Sequence, residues 1–217
     1  MPTRAEPAEN AHVRSIAEST FLSGLYVANF IKPEDVVRVL NGAEVKFVLA
    51  GAHGIGGWTG EPRATKVVDV IVEKRHVKKA VTALVAAFPH LQVDDQSVVT
   101  RLSDRETKEV AIDVMKPIEP LFAAALKNSV ASRAGRQAVH IPDAEMALAL
   151  KFAPMVSPNR PDDKKYIDAA DFIRIVRHNP AIDLNKLASL GELVYAGGGA
   201  EITEMIRRVR DGEKLML

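Results

Sequence analysis

The sequence predicts an α+β (α/β) fold in which a small mixed β-sheet is flanked by helices and followed by a C-terminal helical bundle. Short apolar runs rich in β-branched residues, typical of buried strands, occur at 45–50, 66–72 and 110–115. Amphipathic segments with a helical period lie between and around these runs. Beyond residue 166 the pattern is helical throughout, which places the bundle at the C-terminal end.

The elements follow one another in an order that suggests three regions. Residues 1–32 form a helical extension, 33–128 an α/β core, and 129–217 a mainly helical region packed on that core. Pro33, followed by two acids, opens the helix that leads into the first strand. Residues 91–93 and 98–102 are further short strand candidates, and 129–142 reads as a hairpin or loop. Gly197-Gly198-Gly199 predicts a hinge-like connection between the last two helices.

The composition excludes several classes of protein. The chain of 217 residues has 47% hydrophobic and 26% charged residues, as soluble globular proteins do, and its net charge of +1 argues neither for nor against a nucleic-acid partner. It has no cysteine, which excludes disulfides, thiolate catalysis and thiolate zinc sites. The N-terminus lacks the apolar core of a signal peptide, and no membrane span is evident. We therefore expect a cytoplasmic protein without a membrane partner.

A glycine-rich segment follows the first strand, with glycines at 51, 54, 56 and 57. Such a turn after a buried strand is either a phosphate cradle, since glycine lets backbone N–H groups approach closely, or an ordinary tight turn. The P-loop is excluded because no Lys-Ser or Lys-Thr follows. A dinucleotide fingerprint is also weak, because Thr59 stands where the third glycine belongs.

Two strands each carry one aspartate among apolar residues, Asp69 in KVVDVIV and Asp113 in VAIDVM. A half-buried carboxylate needs a partner. For Asp69 this is either an ion pair with Arg63 or a functional role. Asp113 ends an exposed edge strand, pairs with Lys116, or acts together with Asp69. On adjacent strands the two carboxylates would repel unless a cation lay between them, which indicates a magnesium site.

The same segment resembles the nucleotidyltransferase superfamily, in particular its minimal and AbiEii-type branch. Gly51-Ala52-His53-Gly54 lies where that family has its glycine turn, and Arg63-Ala64-Thr65 matches its Arg-x-Thr. Asp69 matches the second aspartate of the Asp-x-Asp strand, and Asp113 the third aspartate on a later strand. Val67 stands where the first aspartate belongs.

A second block of the chain resembles the same family, whose helix ends in a lysine that precedes a loop arginine and a further aspartate. Lys151 either binds a triphosphate as a point charge or only extends its ammonium to solvent. The counterparts in this sequence are Lys151, Arg160, Asp163, Lys164 and Asp168.

The resemblance implies a nucleotidyltransferase-like domain that binds a nucleoside triphosphate with Mg²⁺ and transfers a nucleoside monophosphate to a hydroxyl of a protein, an RNA or a small molecule. An antitoxin is a further partner to be expected. The substitution at Val67 predicts impaired activity, and the alternative is a non-catalytic member that binds a nucleotide, an RNA or a protein. Asp69 and Asp113 would hold the metal, Asp113 would also be the base, and the nucleotide would be bound by Gly51, Ala52, His53, Arg63, Thr65, Lys151 and Arg160.

Overall fold

The computed structural model describes residues 8–27 and 30–215, and it has the mixed α/β architecture that the sequence predicts. The helices are α1 (Ala8–Tyr26), α2 (Pro33–Gly42), α3 (Gly51–Thr59), α4 (Val77–Ala87), α5 (Pro120–Ala125), α6 (Ala144–Val156), α7 (Asp162–His178), α8 (Leu184–Glu192) and α9 (Gly198–Arg210). The strands are β1 (Phe47–Leu49), β2 (Val68–Val72), β3 (Leu91–Asp95), β4 (Val99–Asp104), β5 (Val110–Met115), β6 (Ser129–Ala134) and β7 (Gln137–Pro142).

Five strands form one mixed sheet in the order β1-β2-β5-β4-β3. The β2–β5 pair is parallel, and the other neighbours are antiparallel. The prediction of a small mixed sheet flanked by helices is therefore confirmed. Besides the strands formed by the three apolar runs, the sheet contains β4 and β3, which extend it beyond β5. As a result β5 is internal, and the alternative that Asp113 lies at a sheet edge is wrong.

The two faces of β2 belong to different parts of the core. Val68, Val70 and Val72 are buried with residues of α2, α4 and the β6–β7 hairpin. Ile71, which points the opposite way, is buried with residues of α6, α7, α8 and α9. Asp69 shares its face with Ile71, so the sheet presents this carboxylate on the side of the C-terminal helices.

Local signals in the sequence set several helix starts. Pro33 occupies the first turn of α2, followed by the acids that favour the positive end of the helix dipole. Asp143 caps α6, and its carboxylate accepts a hydrogen bond of 3.0 Å from the backbone N–H of Met146. Helix α7 begins at Asp162, four residues before the predicted start, and α6 continues through Pro154 into what was predicted as a loop.

Two other predictions about local structure need correction. Of the helical extension predicted for residues 1–32, α1 covers Ala8–Tyr26 and residues 30–32 are not helical, while residues 1–7, 28 and 29 lie outside the described residues. Gly198 and Gly199 were expected in a hinge, but they form the first turn of α9. A Cβ atom at Gly198 would lie 2.4 Å from the carbonyl oxygen of Gly191, so glycine lets α8 and α9 pack closely.

The hairpin of β6 and β7 packs chiefly against α1, α2 and β1, and β7 also contacts α3 and α6. Among the residues that the structure describes, no helix combines the length and hydropathy that a membrane crossing requires.

Candidate active site

Asp69 and Asp113 are direct neighbours on the parallel strands β2 and β5, where their Cα atoms are register partners. Paired residues on adjacent strands point to the same face, and neighbouring strands lie about 4.8 Å apart. The two carboxylates therefore share one face of the sheet, as predicted from their similar strands. Their role as metal ligands is taken up below as a proposal.

Burial and mutual repulsion destabilise the ionised forms of this pair. Burial, followed by the charge of Asp113, raises the pKa of Asp69 to about 7, against the opposing effects of Lys151 and Arg63. Burial also raises the pKa of Asp113, and the charge of Arg101 opposes it. The neighbouring cations therefore offset the cost of burying these two carboxylates only in part.

One carboxylate oxygen of this pair is buried without a hydrogen-bond partner. Oδ1 of Asp113 is buried without a hydrogen bond, and its nearest cationic atom, Nε of Arg101, lies 3.7 Å away, too far for one. Oxygen atoms of carboxylates are the preferred ligands of Mg²⁺. The chemistry of these donor atoms therefore suits Mg²⁺. Within residues 8–27 and 30–215 no three or more His, Cys, Asp or Glu side chains are grouped so that they could hold a metal ion, so the two aspartates are not part of a larger cluster of this kind.

The glycine segment is the helix α3, not the turn that the sequence predicts. Its first residue, Gly51, has a φ of +56°, and a Cβ atom there would lie 1.8 Å from Oδ2 of Asp69. The backbone N–H of Ala50 donates to the carbonyl oxygen of Asp69 over 2.8 Å. The N-terminus of α3, with its partial positive charge, thus lies against the Asp69 carboxylate.

The later glycines of α3 serve packing. Cβ atoms at Gly54, Gly56 and Gly57 would meet the carbonyl oxygen of Leu49, Oγ of Ser15 and Nδ1 of His12 at 2.2, 2.2 and 1.9 Å. Helix α1 therefore crosses α3 at a distance that only glycine permits. This explains a glycine-rich helix despite the low helix propensity of glycine. The prediction of a phosphate cradle therefore applies only to the N-terminal end of α3, at Gly51 and the buried Ala52.

His53 is buried at 1% exposure and interacts with α1. The hydroxyl of Ser19 donates to the carbonyl oxygen of Arg63 over 2.9 Å and contacts Nδ1 of His53 at 2.9 Å. Because a hydroxyl has one proton to donate, Nδ1 of His53 is the donor to Ser19. Burial, followed by the charge of Arg63, lowers the pKa of His53 to about 4. The ring is therefore neutral at physiological pH, and its Nε2 is a buried acceptor without a hydrogen-bond partner.

The segment from Arg63 to Thr65 is also held by α1. Besides the bond from Ser19 to Arg63, the backbone N–H of Thr65 donates to Oγ of Ser23 over 3.0 Å. The hydroxyl of Thr65 donates to the carbonyl oxygen of Val67 over 3.4 Å. Two buried serines one helical turn apart thus fix the backbone of the Arg-x-Thr segment.

Lys151 lies in a buried ionic network between α6 and α7. Its Nζ is 2.9 Å from Oδ1 of Asp168 and 2.8 Å from Oδ2 of Asp171. Arg160 binds the other oxygen of Asp168 over 2.9 Å, and Arg63 donates to both oxygens of Asp171 over 3.3 and 3.1 Å. The basic residues predicted for the triphosphate thus converge on two carboxylates. Arg63 pairs with Asp171 and not, as one alternative held, with Asp69.

The network is electrostatically coupled to the aspartate pair, since Lys151, Arg63 and Asp168 all affect the pKa of Asp69. Burial would raise the pKa of Asp171, but Lys151 and Arg63 hold it below its usual value. Sequence analysis did not single out Asp171. Its spacing of three residues from Asp168, on one face of α7, is the signal that could have indicated it.

Asp163 and Lys164, the other predicted counterparts in this block, are not part of the network. They lie exposed in the first turn of α7, with Nζ of Lys164 4.0 Å from Oδ2 of Asp163. Lys116, the alternative partner of Asp113, pairs instead with Asp95 over 2.8 Å. Val67 is half-buried and immediately precedes β2, so it is not within the strand as predicted.

No protein-family model matches the sequence, and no curated protein matches it. Solved structures do. An antigenic nucleotidyltransferase-like protein from Paracoccidioides brasiliensis superposes with a TM-score of 0.52 at 16% identity, over 87% of this chain and 97% of that one. The antibiotic-resistance factor ANT(2'')-Ia superposes with a TM-score of 0.50 at 10% identity, over 82% of this chain and 92% of that one. The chain therefore has the fold of nucleotidyltransferase-like proteins, as the sequence resemblance implied.

Proposed function

We propose that the protein is a nucleotidyltransferase that binds a nucleoside triphosphate with Mg²⁺ and transfers the nucleoside monophosphate to a hydroxyl acceptor. The observation that carries this proposal is the register pairing of Asp69 with Asp113 on one face of the sheet. The N-terminus of α3 and a cluster of basic residues adjoin this pair. The fold supports nucleotidyl transfer in general.

Different residues of the site bind the metal ion and the phosphates of the nucleotide. Asp69 and Asp113 would hold the metal ion, which when bound would supply Lewis-acid polarisation of the α-phosphate. The N–H groups at the start of α3, at Gly51 and Ala52, face the phosphates. Arg63 and Arg160, two arginines of the ionic network, are 36% and 40% exposed and can reach the β- and γ-phosphates from the mouth of the site.

Lys151, by contrast, contributes as a fixed buried charge, because it is already bonded to both Asp168 and Asp171. Nη1 of Arg174 also lies 3.9 Å from Oδ1 of Asp171, and its Nε lies 3.1 Å from Oε2 of Glu61. With Arg174 and Glu61 included, the network has four cations and three carboxylates, so one positive charge is left for the triphosphate. His53 and Thr65 act indirectly on the nucleotide. Through Ser19 and Ser23 they fix the backbone that carries Arg63.

In the reaction, the carboxylate of Asp113 accepts the proton of the acceptor hydroxyl. The hydroxyl oxygen forms a bond to the α-phosphorus, the bond from that phosphorus to its bridging oxygen breaks, and pyrophosphate leaves. The buried Oδ1 of Asp113 has no hydrogen-bond partner, so its lone pairs are available for this proton or for the metal.

A second candidate function is that of a non-catalytic protein that keeps the nucleotide site. It is favoured by Val67, which stands where the family resemblance places the first of three aspartates. Membership of the AbiEii-type branch, with an antitoxin as partner, is a finer proposal that rests on the sequence blocks alone. The acceptor, whether protein, RNA or a small molecule, is likewise open to experiment.

A transfer assay separates the two functions. The purified protein is incubated with each nucleoside triphosphate, labelled at the α-phosphate, in Mg²⁺, with total bacterial RNA, with a hydroxyl-bearing antibiotic or alone. We expect label in one acceptor together with pyrophosphate, and neither product with Asp113→Asn. Magnesium-dependent nucleotide binding without transfer in any arm would support the non-catalytic function.

A further inference from the structure

A row of charged residues crosses the sheet on the face that carries the candidate site. Asp69 is the register partner of Asp113, Asp113 of Arg101 on β4, and Arg101 of Asp94 on β3. Residues paired in this way share a face. Arg101 therefore flanks Asp113 on the side opposite Asp69, while the Lys151 network acts on Asp69.

The contact of Arg101 with Asp113 is electrostatic. Nε of Arg101 lies 3.7 Å from Oδ1 of Asp113, and the two side chains are 42% and 19% exposed. Arginine keeps its charge at any physiological pH and offers several N–H donors in a planar fork. At this separation the guanidinium of Arg101 offsets the negative charge of Asp113 without donating a hydrogen bond to Oδ1. That oxygen therefore remains available to a metal ion.

The charge of the site argues against two divalent ions. The first family aspartate is replaced by Val67, so two carboxylates remain, and Arg101 offsets one of them. Two divalent ions in proteins commonly share several carboxylates, whereas here a second ion would meet an arginine in place of a ligand.

We propose that Arg101 is a fixed cation that takes the place of one metal ion beside Asp113, so that the site binds a single divalent ion. This inference rests on the proposed function. Arg101 is a positioning residue, since it acts through Asp113: its charge orients that carboxylate and stabilises negative charge on the acceptor side of the site.

Binding of Mn²⁺ alone, counted by electron paramagnetic resonance of the free ion, tests the inference without an acceptor. We expect one ion per wild-type chain. Arg101→Gln removes a positive charge that repels a cation bound at Asp113. This variant should therefore bind Mn²⁺ about tenfold more tightly than wild type at low salt. Arg101→Lys keeps the charge and should stay near wild type. Arg38→Gln is the matched control, because Arg38 is an exposed side chain of α2 that pairs with Asp35, and it should leave the Mn²⁺ affinity unchanged.

The outcomes are distinct. Unchanged Mn²⁺ affinity in Arg101→Gln, or equal tightening in Arg101→Lys, would overturn the role of Arg101, and so would two ions on the wild-type chain. In these cases the proposed function stands if Asp113→Asn abolishes binding. Absence of Mn²⁺ binding in both wild type and Arg101→Gln would overturn the metal site itself. Circular dichroism and thermal unfolding of each variant confirm that the compared proteins are folded.

Discussion

Gly51 and Asp69 are in such close contact that any side chain at position 51 would displace the carboxylate: a Cβ atom there would lie 1.8 Å from Oδ2 of Asp69. The φ of +56° at Gly51 adds a second reason for glycine. The position of the Asp69 carboxylate therefore depends directly on the backbone at the start of α3.

Gly51→Ala should weaken Mg²⁺ binding about tenfold or more, because the methyl group moves an expected ligand. It should also lower the free energy of unfolding by roughly 1–3 kcal/mol through left-handed strain and the clash. Isothermal titration and denaturant unfolding measure the two effects. Gly24→Ala is the control, since a Cβ there meets no atom within 4 Å and alanine favours the helix. Wild-type Mg²⁺ affinity in Gly51→Ala would refute this coupling.

Asp69 should make the stability of the metal-free protein depend on pH. The pKa of Asp69 is about 7 in the folded state, whereas its ordinary value is 3.8. As the pH rises, this carboxyl therefore loses its proton in the unfolded chain before it does so in the folded protein. Between about pH 4 and pH 7 the folded state holds the extra proton, and the free energy of unfolding should fall as pH rises, by an amount on the order of a few kcal/mol. Above pH 7 this contribution should level off.

Asp69→Asn should remove that slope and stabilise the metal-free protein at pH 8. The free energy of unfolding, measured with denaturant at pH 5, 6, 7 and 8, checks this prediction. Asp163→Asn, in the exposed first turn of α7, is the control and should keep the wild-type slope. An Asp69→Asn profile that keeps the wild-type slope would assign the pH dependence to other groups.

Lys151 should be required for stability as well as for charge. Lys151→Met leaves Asp168 and Asp171 without their central cation and should cost about 3–5 kcal/mol of the free energy of unfolding. The exposed Lys164→Met should change it by no more than about 0.5 kcal/mol. If Lys151→Met loses stability but binds nucleotide as wild type does, the charge of Lys151 plays no part in binding.

Val67→Asp should strengthen Mg²⁺ binding, since it restores a carboxylate two residues before Asp69, at the position that the family resemblance assigns to the first aspartate. Val93→Asp, on the exposed edge strand β3, adds the same charge away from the site and is the matched control. Equal Mg²⁺ affinity in the two variants would show that position 67 does not face the aspartate pair.

The sequence was sufficient to predict the aspartate pair because each aspartate is flanked by β-branched apolar residues, a local pattern that survives folding. Strand order is not local, and so the partnership of Arg101 with Asp113 was missed: it depends on the register of β4 against β5. The helix α3 was missed because glycine disfavours helices, while its close packing on Ser15 and His12 of α1 reverses that preference. Asp171 lay outside any motif, and its role follows only from the approach of Arg63 and Lys151.

The magnesium dependence of nucleotide affinity tests the central claim most directly. Each nucleoside triphosphate is titrated calorimetrically into wild type, Asp69→Asn and Asp113→Asn, with Mg²⁺ and with EDTA. The account predicts that Mg²⁺ tightens binding of at least one nucleotide about tenfold or more in wild type, and that both variants lose most of this gain while remaining folded. Nucleotide affinity that is the same with and without Mg²⁺, or a gain that both variants retain, would contradict it.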